Sequence, residues 1–175
     1  EVVLMTASLA RLLRQSISNE DEVVPLAREV EYAKGYLTIQ KMRYKDKLEF
    51  EIDVEPSILN IPLIKLVLQP IIENAIYHGL KYKESKGLLQ VKGFMKDGNA
   101  VLQVIDNGVG MDEETLSHIY DKHKVNYHSN GVGVYNVQKR LKLYYGENYG
   151  ITYESEKGVG TTATITIPGI QEESI

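Results

Sequence analysis

Apolar residues recur along this chain in two periods, and the period changes where the elements change. Near the start, Val2, Met5, Leu9 and Leu12 fall on one narrow stripe flanked by Arg11 and Arg14. That spacing predicts a helix over residues 1–18, close to a coiled-coil seam. The stripe suits either a helix packed on its own domain or the end of a helical dimerisation hairpin. A polar run at 18–22 reads as a linker. A second helix is predicted from Pro25 or Leu26 to Tyr44, with Leu26, Val30, Ala33 and Leu37 on its inner face. Pro25 suits the first turn, where a missing N–H costs nothing.

The period then drops to two. Leu48, Phe50, Ile52 and Val54 alternate with charged residues, the mark of a strand with one buried and one wet face. Past Pro56 and Pro62 a helix is predicted from about Leu63 to His78, with Gly79 as a left-handed cap. Strands at about 87–96 and 100–106 flank Asp97-Gly98-Asn99, a hairpin signal. Asp112 opens a short helix, a polar irregular stretch covers about 120–131, and a further helix runs from about Gly133 to Tyr145. Strands at about 150–155 and 160–167 complete the pattern. Almost every strand alternates, as where Ala163, Ile165 and Ile167 oppose Thr162, Thr164 and Thr166. The expected fold is α/β: a two-layer sandwich of a mixed, mostly antiparallel sheet with helices on one face.

Composition narrows the function. The 175 residues suit one domain with room for an appended element. A formal net charge of −4 with both signs interspersed makes nucleic acid a poor default partner. No cysteine is present, which excludes disulfides and thiolate zinc sites. No apolar run is long enough to span a bilayer. Without an initiator methionine, and opening in mid-helix at Glu1, the chain is expected to be a fragment.

Candidate chemistry sits where polar groups interrupt apolar runs. Glu73 and Asn74 lie near the end of a helix containing Leu66, Val67, Leu68, Ile71 and Ile72, where polar groups are costly unless satisfied. A cap or buried hydrogen bond would account for either residue alone. An asparagine carbonyl also suits Mg²⁺, which takes one or two protein oxygens plus phosphates, and a glutamate can accept a proton. Asp106-Asn107-Gly108 could be a hairpin turn, but helix-start chemistry at Asp112 follows instead of a strand. A buried carboxylate at Asp106 would accept a hydrogen bond from the adenine amine and penalise guanine. Gly131 and Gly133 precede a helix whose N-terminus could receive phosphates, after a polar stretch with Lys122, His123, Lys124 and His128 that reads as a lid or a solvated loop. Gly160 and Thr161, between the last two strands, could approach a base.

Glu73-Asn74 with His78-Gly79, then Asp106 to Gly110, Gly131 to Gly133 with Asn136, and Gly160-Thr161 stand in one order that resembles the N, G1, G2 and G3 boxes of the histidine-kinase, gyrase, Hsp90 and MutL superfamily. Leu68-Gln69-Pro70-Ile71-Ile72-Glu73-Asn74, the stretch from Val132-Gly133-Val134-Tyr135-Asn136 through Arg140-Leu141, the Arg28 to Arg43 helix and Tyr144-Tyr145-Gly146 are similar to the YesM/LytS type of bacterial sensor histidine kinase. The resemblance implies a Bergerat ATP-binding fold over residues 21–175, preceded over residues 1–20 by the end of a dimerisation and phosphoacceptor hairpin. It further implies ATP with Mg²⁺, Asp106 on the adenine amine, Asn74 on the metal, Glu73 as proton acceptor, and His78 and Thr161 beside the nucleotide. Gly108, Gly110, Gly131 and Gly133 would shape pocket and lid. Implied partners are a response regulator and a second copy joined through the hairpin, in a cytoplasmic domain of a membrane sensor. Tyr77 stands where many histidine kinases carry Lys or Arg, so phosphate charge falls to His78, lid lysines or metal. His78 is also the first histidine, so the phosphoacceptor is expected upstream of this sequence. Superfamily alternatives are an ATP-hydrolysing machine, a protein-serine kinase, or a degenerate module that only binds nucleotide or dimerises.

Overall fold

The alternating segments form one five-stranded sheet in the computed structural model, which describes residues 22–119 and 131–169. The first predicted helix, and the stretch with Lys122, His123, Lys124 and His128, lie outside the described residues. The sheet strands are β2 (Leu48–Val54), β4 (Gly87–Lys96), β5 (Asn99–Asp106), β6 (Gly150–Glu156) and β7 (Gly160–Pro168), in the order β2-β4-β5-β7-β6. Only β2 with β4 is parallel, with Leu48 opposite Gly87; β4–β5, β5–β7 and β7–β6 are antiparallel. Parallel neighbours need a crossover, and the helix between β2 and β4 supplies it.

Helices α1 (Leu26–Tyr44), α2 (Leu68–Asn74) and α4 (Gly131–Tyr145) pack on one face of the sheet. Between the layers Leu26, Leu37, Ile71, Ile72, Leu89, Leu102, Leu141 and Ile165 are buried. Each such side chain contributes roughly 1.5–3 kcal/mol on leaving water, which makes this shared layer the main source of stability. On the other face Thr162, Thr164 and Thr166 stay partly exposed, as their alternation requires. The β4–β5 turn is a tight one, with both Asp97 (φ 50°) and Gly98 (φ 78°) left-handed.

The crossover helix departs from its predicted bounds at both ends. Residues 62–64 form strand β3 (Pro62–Ile64), paired antiparallel with β1 (Val23–Pro25), so that Val23 faces Ile64. Leu66 then turns the chain at φ 62°, and α2 begins only at Leu68. A continuous apolar run fits strand and helix alike, and here the pairing with β1 decides for strand. At the other end Gly79 is no left-handed cap. The helix continues as a π turn from Ala75 to Leu80, in which the Lys81 amide donates to the Ile76 carbonyl at 2.9 Å. Glycine is required at 79 because a Cβ there would lie 2.6 Å from Asp106 Oδ1.

Candidate functional site

The site lies between the end of α2 and the ends of β5 and β7. Ile71, Asn74, Ala75 and His78 recur at helical spacing, and that stripe forms one wall of a cavity of about 540 Å³. Val104, Asp106, Thr161 and Ala163 from the sheet form its floor, with Tyr153 of β6 beside them.

Asp106 ends β5, opposite Thr161, and is only 6 % exposed. Its Oδ1 accepts the Gly108 amide at 2.8 Å, and the Thr161 amide also donates to the carboxylate. Burial nevertheless dominates and pushes the carboxyl up from 3.8 to about 6, against those two amides and the charge of Lys83. The cage depends on close backbone approach: a Cβ at Gly108 would lie 2.4 Å from the Gly79 carbonyl, which itself accepts the Val109 amide at 3.0 Å. At Gly110 the φ of 64° and a Cβ only 1.9 Å from the Glu156 carbonyl both demand glycine. Gly110 therefore locks the loop against the β6–β7 hairpin, where the Gly158 amide donates to the Val109 carbonyl at 2.7 Å.

Asn74 behaves differently. Its Oδ1 is buried beside the cavity and finds no hydrogen-bond partner among the described residues. A buried carbonyl oxygen left so costs about 1–3 kcal/mol, and orphaned groups of this kind are expected where a ligand completes them. A hard cation wants such an oxygen, so the residue present fits Mg²⁺ as one protein ligand among phosphate oxygens and water.

Glu73 and Asn74 adjoin in sequence but face apart. Glu73 Oε1 accepts from Gln69 Nε2 at 3.0 Å and lies near Tyr36 of α1, whose phenol is held well above its ordinary value by burial first and by the Glu73 carboxylate second. Glu73 does not line the cavity. His78 does, and burial with the nearby Lys81 lowers its pKa, leaving a neutral imidazole at pH 7. Lys83 Nζ donates to the Asn107 carbonyl. Gly131 and Gly133 fall within the first turn of α4 rather than ahead of it. A Cβ at Gly133 would meet only Pro70 Cβ at 3.5 Å, an ordinary contact.

Several wall residues escape a reading built on glycines and acids. Asp112 caps the short helix α3 (Glu113–Ser117) as expected, accepting the Thr115 amide at 2.9 Å. That cap turns Glu114, Thr115 and His118 onto the cavity wall beside Met111. Their helical spacing after an N-cap was the available signal. Ser155 of β6 had none: its hydroxyl accepts the Met111 amide at 2.8 Å, donates to the Gly160 carbonyl at 3.0 Å and meets Thr161 Oγ1 at 2.8 Å. It ties together loop, hairpin and cavity floor.

Known proteins share this order of elements. A family model described as histidine kinase-, DNA gyrase B-, and HSP90-like ATPase matches residues 60–171, and one described as histidine kinase matches residues 1–48. Over 168 residues the chain is 32 % identical to the sensor histidine kinase YesM of Bacillus subtilis, covering 96 % of this chain and 28 % of that protein. Identity to the sensor protein LytS of Oceanobacillus iheyensis is 34 % over 143 residues, or 80 % of this chain and 24 % of that one. The chain thus spans about a quarter of the length of these relatives. In fold it is similar to the histidine kinase domain of the Erythrobacter litoralis blue-light activated histidine kinase, with a TM-score of 0.60 at 16 % identity, covering 95 % of this chain and 73 % of that one. The chain belongs to the histidine kinase-, DNA gyrase B- and HSP90-like ATPase family.

Proposed function

We propose that this chain is the ATP-binding catalytic domain of a two-component sensor histidine kinase, and that it passes the γ-phosphoryl group of ATP to a histidine outside these residues. One observation carries the reading: an acceptor carboxylate at Asp106 and an orphaned carbonyl at Asn74 line the same cavity. Asp106 accepts the adenine amine, and Thr161, held by Ser155, flanks the base. Asn74 Oδ1 would hold Mg²⁺ alongside phosphate oxygens and water. When bound, the metal neutralises charge on the transferring phosphoryl group.

His78, on the cavity wall, donates a hydrogen bond from its imidazole to the phosphate region. Lys122 and Lys124, which precede α4 in sequence, are the cations we assign to the phosphates. Glu73, the proton acceptor that the resemblance implies, stands outside the cavity wall, held by Gln69, so an incoming imidazole would have to meet it on that outer side. Positioning accounts for most of the rate in such transfers, so few groups suffice.

The domain spans residues 21–175. Residues 1–20 end a dimerisation hairpin, through which the longer protein pairs with a second copy, and a response regulator receives the phosphoryl group. The membrane-sensor setting rests on the sequence resemblance alone; among the described residues no helix is long and apolar enough to cross a membrane. Turnover and labelling test the reading. With radiolabelled Mg-ATP the chain should stay unlabelled yet label a supplied histidine-bearing hairpin, and Asn74→Ala should abolish that transfer. Stable label on the chain itself, or undiminished transfer by Asn74→Ala, would overturn it.

A further inference from the structure

A second buried carboxylate lies outside the cavity, on α1. Glu29 is 2 % exposed, and its two oxygens accept three consecutive backbone amides: Leu66 at 2.8 Å, Val67 at 2.9 Å and Leu68 at 3.1 Å. These amides open α2, a helix whose own N-cap residue, Val67, makes no side-chain cap bond. The donors that a local Ser or Asp usually satisfies are met here by a side chain from another element. The corner is also strained, since Leu66 holds a left-handed φ of 62° without being glycine. A carboxylate on all three amides over-determines that conformation.

From this corner α2 runs about six residues, on the order of 9 Å, to Asn74. Its far end is pinned by the Gly79 carbonyl accepting the Val109 amide. A rod fixed at both ends sets the rotation, and hence the direction, of the side chains between them. Asn74 Oδ1 is one of these, and no other hydrogen bond among the described residues aims it. On the other flank of the corner, Arg140 of α4 donates to the Lys65 carbonyl at 3.0 Å.

We propose that Glu29 is a positioning residue of the nucleotide site: its carboxylate clamps the Leu66–Leu68 corner and so aims Asn74 at the metal. This rests on the reading of Asn74 and Asp106 given above. Asp106 belongs to the sheet and does not depend on the corner. Loss of the clamp therefore affects the metal end of the site and spares the adenine end.

The test is calorimetry on wild type and Glu29→Gln at a temperature where circular dichroism shows both folded, with adenosine, metal-free ATP and Mg-ATP as probes. Glutamine keeps the size of the side chain but turns an NH₂ toward amide donors. Glu29→Gln should lose about tenfold or more of the Mg²⁺-dependent gain in ATP affinity, the range typical when a residue behind a metal ligand is removed. Adenosine affinity should stay within about twofold, a limit well below the tenfold that 1.4 kcal/mol represents. A Glu29→Gln protein with unchanged Mg-ATP and adenosine affinities would overturn the proposal, leaving Glu29 a stability residue only. Equal losses with adenosine and Mg-ATP would overturn it too. If Glu29→Gln does not fold, Arg140→Ala, which loosens the same corner, takes its place and must give the same metal-specific loss. Wild type that binds neither adenosine nor Mg-ATP would refute the nucleotide reading itself, and this inference with it.

Discussion

Two carboxylates are buried among the described residues, Glu29 at 2 % exposure and Asp106 at 6 %, and they do opposite work. Glu29 is filled: three backbone amides occupy both of its oxygens. Asp106 receives amides from Gly108 and Thr161 but also faces a cavity, and burial still raises its pKa to about 6. Burial alone therefore does not mark a functional acid. What separates the two is whether the fold completes the hydrogen bonding or leaves part of it open toward a space large enough for a ligand.

Five measurements sharpen or break that contrast. The largest effect belongs to Glu29→Ala, which removes the partner of three amides, those of Val67 and Leu68 buried and that of Leu66 part-buried. Chemical denaturation should show a loss of about 3–4 kcal/mol. Next is pH. Because the folded protein holds Asp106 protonated at higher pH than the unfolded chain does, stability falls as pH rises from about 3.8 to about 6. The fall from this group is up to about 3 kcal/mol, and it should be absent in Asp106→Asn. An adenine amine favours the ionised carboxylate, so ATP binding near pH 5.5 should release a proton and tighten as pH rises. Calorimetry in buffers of different ionisation enthalpy would detect that release, and uptake instead would contradict the assignment.

Ser155→Ala removes a hydroxyl with three contacts and should cost about 1 kcal/mol, read as a shift in the denaturation midpoint. Smallest is the stability change on Asp106→Asn. At pH 3.5, where the Asp106 carboxyl is protonated, an amide repeats the bond to Gly108 without adding a charge, so denaturation there should move by less than about 1 kcal/mol. A loss as large as that of Glu29→Ala would make Asp106 a structural carboxylate like Glu29.

The sequence carried the sheet well because period-two alternation survives wherever one face stays wet, as Thr162, Thr164 and Thr166 show. It also carried the place of Asp106 at a strand end, since the Asp112 cap removes the hairpin alternative. The start of α2 was not legible. Residues 61–68 are almost wholly apolar, and the partners that divide them into strand and helix, β1 and Glu29, lie more than thirty residues away in sequence. Gly79 looks like a cap by spacing, yet it is glycine because Asp106 Oδ1 sits against it. Glu73 and Asn74 read as a unit because they adjoin, whereas one helical step turns Glu73 toward Tyr36 and Asn74 toward the cavity.

The central claim, that Asp106 waits for an adenine amine while Glu29 is already satisfied, is tested most directly by titrating Mg-ATP and Mg-GTP into wild type and Asp106→Asn at pH 7.5. Wild type should prefer ATP, and Asp106→Asn should bind ATP about 10–100-fold more weakly with its fold intact. Undiminished ATP binding by the folded variant would contradict the account.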